Sequence, residues 1–158
     1  MSGSKTANQW FDEYGESHQN KMNKAIHWVA VPIIFLTVVG LLWSIPVPEL
    51  FTSVPYLNWA SISMVIAVIF YLRLSFAIAV GMLFISVGCL AITNWYEGVG
   101  HWAVWKMSLA IFVVMWVFQF IGHKIEGKKP SFFKDIQFLL IGPAWLLHFL
   151  YKKAGIKY

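Results

Sequence analysis

Residues 57–95 read LNWASISMVIAVIFYLRLSFAIAVGMLFISVGCLAITNW, and Arg73 is the only charge among them. One membrane-crossing helix takes about 20 apolar residues. A run of 39 therefore holds two helices, with Arg73 near the turn that joins them. A further apolar run, Trp28 to Trp43, precedes this stretch across a turn-rich loop, Ser44 to Tyr56, that carries Pro46, Pro48 and Pro55. Another follows it from Trp102 to Ile121, with Lys106 near its start. The last, Ile136 to Tyr151, is shorter and interrupted by Gly142-Pro143. The N-terminal stretch, Asn8 to Lys24, is polar and amphipathic, with Trp10, Phe11 and Tyr14 set among Asp12, Glu13, Glu16 and His18. It has no basic lead into a short apolar core with a small-residue cleavage site, so it does not read as a signal peptide.

Composition agrees with this pattern. The 158 residues are 59% hydrophobic and 12% charged, against about 45–50% and about 25% in ordinary soluble domains. A chain this small cannot hide so much apolar area from water, so lipid must solvate much of it. The single cysteine, Cys89, excludes an internal disulfide framework and a cysteine-based zinc cluster.

The expected fold is all-α, one integral membrane domain over residues 1–158. It is a multi-pass helix bundle with four spanning helices, at about residues 27–44, 57–72, 75–95 and 102–123. An N-terminal amphipathic helix (8–18) and a C-terminal interfacial or re-entrant helix (134–151) complete it. With four spans, eleven of the twelve Lys and Arg residues fall on one side and only Lys106 on the other. This is a positive-inside pattern, and it places the N-terminus and all residues after Ile121 in the cytoplasm. A fifth span would carry Lys152, Lys153 and Lys157 outside. The net charge of +5 is thus a topology signal with some attraction to anionic lipid, and no nucleic-acid partner is needed to explain it. The short chain without a sorting signal points to a bacterial inner membrane, or to the endoplasmic reticulum in a eukaryote.

That topology gathers histidines. His101 falls on the outer face; His18, His27, His123 and His148 fall on the inner one. His27 opens the first spanning helix and His123 closes the fourth, so the two imidazoles share a depth suited to a shared metal ion. Asn23 and His27 are i, i+4 and share a helical face, as do Tyr14 and His18. His18 and His27 are nine apart, half a turn out of phase on one continuous helix. They converge only if the helix breaks, and Gln19-Asn20 is a plausible place for that, with Asn20 as the next N-cap. His123 and Glu126 share a face before Gly127-Lys128-Lys129-Pro130 ends the helix. A three-histidine or two-histidine, one-carboxylate set with open positions suits non-haem Fe(II) oxygen chemistry. A bland assignment exists for each residue: an interfacial hydrogen-bonded histidine, Asn23 as a first-turn cap, Glu126 paired with Lys124 or Lys129 in water. His101 and His148 take it.

Two motifs carry a resemblance. Tyr14-x3-His18-x4-Asn23-x3-His27, followed by Val31-Pro32, resembles the N-terminal signature of the 2-hydroxy fatty acid dioxygenase family of fatty acid α-oxidation. Trp116 to His123, followed by Glu126, Lys128, Lys129, Pro130, Gln137 and Gly142-Pro143, resembles its second signature. The resemblance implies an Fe(II)-dependent dioxygenase that cleaves C1–C2 of a 2-hydroxy fatty acid, with O2, to give the acid one carbon shorter. It implies His18, His27 and His123 as metal ligands, with Asn23, Glu126 and Tyr14 around them. Asn23 and Glu126 are the expected catalytic residues, and Tyr14, Lys128 and Lys129 the expected substrate contacts. One departure stands out: only Lys124 and Ile125 separate His123 from Glu126, where the family pattern has three residues. Two other classes compete on composition and spacing: a haem b membrane cytochrome with His27 and His123 as axial ligands, and a non-enzymatic scaffold or transporter subunit. The sequence does not specify an oligomeric state.

Overall fold

The structure is a computed structural model and describes residues 5–131 and 137–158. The described residues form seven helices and no strand. Lys134 and the expected start of the last segment lie outside them.

Helix α1 (Ala7–Gly15) starts at a reciprocal capping box, in which Thr6 accepts from the Gln9 amide and the Gln9 side chain accepts from the Thr6 N–H. Its buried positions, Ala7, Trp10, Phe11 and Tyr14, follow the i, i+3, i+4, i+7 spacing of one face. Helix α2 (Lys21–Trp43) is capped by Asn20, whose Oδ1 accepts from Met22 and Asn23 N–H. The chain therefore breaks between His18 and His27, as their convergence requires. The proline-rich loop contains one short helix, α3 (Glu49–Thr52). Helices α4 (Trp59–Leu74) and α5 (Phe76–Val99) are joined by the single residue Ser75, whose hydroxyl caps α5 by accepting from Ile78 N–H. Arg73 closes α4 at this turn. Helix α6 (Val104–Glu126) ends at Gly127, in the left-handed region at φ 74°.

Three of these, α2, α5 and α6, are long and apolar enough to cross a membrane. Helix α4 has 16 residues, about 24 Å of axial length, so it is shorter than the roughly 30 Å hydrocarbon layer. The sequence also suggested a break at Gly142-Pro143, and the structure differs. Helix α7 (Phe138–Ala154) runs through Pro143. The ring removes one amide donor in the second turn, and dense packing of Ile141 to Leu147 holds the helix across it.

Helix α2 is the central strut. It lies antiparallel along α6 and also meets α4, α5 and α7. Helix α7 fills the space between α1 and α5, with Trp10 packed edge-on to Phe138 at 5.3 Å and the Tyr71 hydroxyl donating to Leu140 O at 2.8 Å. Because α2 and α6 run in opposite directions, the start of one and the end of the other lie at the same level. That level holds the histidines.

Candidate metal centre at one end of the bundle

His18, His27 and His123 converge: one ligand nitrogen from each lies within 4.8 Å of the others. All three are buried, at 0%, 1% and 4% exposure. Their rings pack edge to face with centroids 4.2, 4.9 and 5.0 Å apart.

Two of the rings are oriented by backbone carbonyls. His18 Nδ1–H donates to Tyr14 O at 2.6 Å, and His27 Nδ1–H donates to Asn23 O at 2.9 Å. The donor on Nδ1 makes Nε2 of each ring the lone-pair nitrogen, as in a metal-ligating histidine held by an outer hydrogen bond. His18 Nε2 is buried without a partner among the described residues, and so is His123 Nδ1. Buried polar atoms of native proteins rarely stay unpaired, so these two fit a missing ligand. Burial also drives the His18 pKa down to about 4, which keeps the imidazole neutral at pH 7, the form that binds metal. The donor set of three neutral imidazoles suits Zn, Cu or Fe(II).

His18 sits on the turn between α1 and α2, and that turn is fastened at every step. Lys128 Nζ donates to Glu16 O at 2.7 Å and Asn23 Nδ2 to Ser17 O at 3.0 Å. The Ser17 and Ser131 hydroxyls share a hydrogen bond at 2.5 Å. Both Glu126 oxygens are occupied: Oε1 accepts from Gln19 N–H, and Oε2 from Asn20 N–H and Asn23 Nδ2, at 2.8, 2.8 and 3.1 Å. Glu126 thus grips the turn from below and stands outside the histidine cluster. Asn23 bridges Glu126 to Ser17, and its Oδ1 lies against Gly122, where a Cβ would collide with it. Gly122 is what lets α6 approach α2 closely enough to bring His123 in.

Tyr14 stacks on His18 at 4.2 Å and 14°, with its hydroxyl over Gly142. Burial raises its pKa, so the hydroxyl keeps its proton. Lys128 and Lys129 are exposed, and neither lines the interior space beside the histidines. The Lys128 ammonium is engaged by the Glu16 carbonyl instead. His148 pairs with the Tyr158 hydroxyl and packs on Phe11, remote from the cluster's ligand set.

From the cluster a cavity of about 300 Å³ extends between the helices, bounded at this end by Tyr14, His27, Gln119, His123 and Ser131. Gln119 is 6% exposed and lines this end of the cavity. Sequence reasoning passed over it, although it stands one helical turn before His123 on the same face. Ser17 and Ser131 left no signal, because their pairing joins segments more than a hundred residues apart.

Fold and site together define an apolar helical bundle with a buried three-histidine candidate metal centre facing an internal cavity. Over residues 4–154 the chain matches the family described as 2-hydroxy-palmitic acid dioxygenase Mpo1-like, and it belongs to that family. It is similar to 2-hydroxy-palmitic acid dioxygenase MPO1 of Saccharomyces cerevisiae, with 26% identity over 140 residues, 85% of this chain and 74% of the yeast protein. No solved structure matches the chain.

Proposed function

We propose that the protein is an Fe(II)-dependent dioxygenase that cleaves C1–C2 of 2-hydroxy fatty acids and yields the acid one carbon shorter. The observation that carries this is the junction of three buried, neutral histidines, two with Nε2 freed by a hydrogen bond at Nδ1, with a cavity of largely apolar lining. The kinship with the yeast dioxygenase supports the substrate class. His18, His27 and His123 would hold ferrous iron, which would supply redox chemistry toward O2. The chain's own groups do the rest. Tyr14, kept protonated, and Gln119, both lining the cavity beside the histidines, are donors for the carboxylate and hydroxyl of the substrate. Asn23 and Glu126 act as positioning residues that seat the His18 turn.

We infer further that α4 crosses the bilayer with α2, α5 and α6, with the histidines at the cytoplasmic face, as the lysine distribution supports. Helices α1 and α7 then lie at that interface. The compact edge-to-face packing of the three rings speaks against haem, whose axial imidazoles stand on opposite faces of a wide planar ring.

The test is direct. Purified protein reconstituted with Fe(II) and O2 is expected to convert 2-hydroxypalmitate to the acid one carbon shorter, with about one iron per chain by elemental analysis. His27→Ala and His123→Ala should lose both. Stoichiometric iron and full turnover in both variants would refute the centre.

A further inference from the structure

The cavity beside the histidines has two unlike ends. At the cytoplasmic end stand Tyr14, Gln119, Ser131 and the imidazoles; beyond them the α2 wall is Val31, Ile34, Phe35, Val38 and Leu42. These positions recur at helical spacing on one face, so they form a continuous stripe. From His27 to Leu42 the stripe covers 15 residues, about 22 Å at 1.5 Å per residue. Met64 and Ala67 of α4 and Phe112 and Trp116 of α6 flank it, and Ser63, one turn from the start of α4, stands at the far end. Helices α4 and α6 both pack on α2 and scarcely on each other, so the stripe is the floor of a groove. Its rim includes Ile66 and Leu139, both exposed, on a surface that faces lipid in a bilayer.

We propose that this groove holds the substrate's acyl tail, carboxyl end at Gln119 and methyl end at Val38, Leu42 and Ser63, and that these last three set the longest tail held. This rests on the 2-hydroxy acid assignment above and specifies where the tail lies. The occupant follows from the geometry. A site that is polar at the histidines and apolar for four helical turns beyond matches a long-chain acid with a single polar end. A side opening toward lipid lets such an acid slide in from the membrane with its tail never crossing water.

The experiment uses the full chain in lipid nanodiscs and two photoreactive probes. One is 2-hydroxypalmitic acid with a diazirine at its methyl end; the other carries the diazirine near the carboxyl end. The first is expected to label Val38, Leu42 and Ser63 at least tenfold above the lipid-facing Val113 and Val117. The second is expected to label Gln119 and Leu139, and unlabelled 2-hydroxypalmitate should displace both. Val38→Trp and Leu42→Trp, both at half-buried positions, should lower methyl-end labelling at Ser63 at least fivefold and leave carboxyl-end labelling unchanged. Equal labelling of groove and lipid-facing positions in the unmodified chain overturns the proposal, whether or not either variant folds. Groove labelling without turnover of any 2-hydroxy acid would leave the groove assigned and sink the dioxygenase reaction. Turnover with labels outside the groove would do the reverse.

Discussion

Replacing Glu126 with alanine tests how His18 is held. The carboxylate accepts three hydrogen bonds, from Gln19 N–H, Asn20 N–H and Asn23 Nδ2, at 2.8, 2.8 and 3.1 Å. Hydrogen bonds to a charged group contribute about 1.5–3 kcal/mol each when shielded from water. Glu126 is partly exposed, so the freed backbone donors can turn to solvent and the low end applies. The three bonds also act on one turn and do not add fully. A net loss of about 2 kcal/mol in seating the turn is a fair expectation, or roughly 30-fold in the population with His18 in place. This falls within the 10–100-fold losses typical of residues that orient metal ligands. The assay is anaerobic Fe(II) titration of detergent-purified protein by calorimetry, with circular dichroism to check that the helices remain. Glu126→Gln keeps one oxygen acceptor and should lose less, about three- to tenfold in all, which corresponds to one neutral hydrogen bond of about 0.6–1.4 kcal/mol. If the folded alanine variant binds iron as tightly as the parent, the clamp is not what seats His18. If the glutamine variant loses iron as completely as His18→Ala, Glu126 is a ligand and its assignment as a positioning residue is wrong.

Three shorter predictions follow the same geometry. Gly122→Ala pushes a methyl into Asn23 Oδ1 and should cost about 1–3 kcal/mol, a Tm several degrees lower with weaker iron binding; an unchanged melt would show that α6 moves away freely. Lys128→Ala should leave kcat/KM within about twofold, because its ammonium sits on the Glu16 carbonyl outside the cavity, where an exposed contact contributes about 0–1 kcal/mol; a rise in KM beyond tenfold with kcat unchanged would restore it as a carboxylate contact. Tyr71→Phe removes the hydroxyl that ties α4 to Leu140 O of α7 and should cost about 1 kcal/mol of thermal stability with turnover intact; loss of turnover at unchanged Tm would give that hydroxyl a role at the site.

Much of the bundle was legible in one dimension. Apolar runs mark the helices because lipid imposes a minimum length and forbids charges within it. Asn20 could be read as a cap from its side-chain chemistry, and Gly127 as a stop. The Gly142-Pro143 break was misread, because local proline chemistry suggests it and only the packing around Ile141 to Leu147 overrides it. The short loop helix α3 left no signal in the sequence, since it is a single turn without a side-chain cap.

The sequence by itself determined that the chain carries helices apolar enough to suit lipid, where those long helices run, and that His27 and His123 share a level. Those follow from hydropathy, helix length and antiparallel order, all of which are additive along the chain. Only the tertiary structure decided that His18 joins them, that both Glu126 oxygens grip the turn beneath it, and that Gln119 faces the cavity while Lys128 and Lys129 do not. Each of these depends on where side chains from distant segments meet. A close approach such as Asn23 against Gly122 is set by three-dimensional packing, which spacing along the chain does not encode.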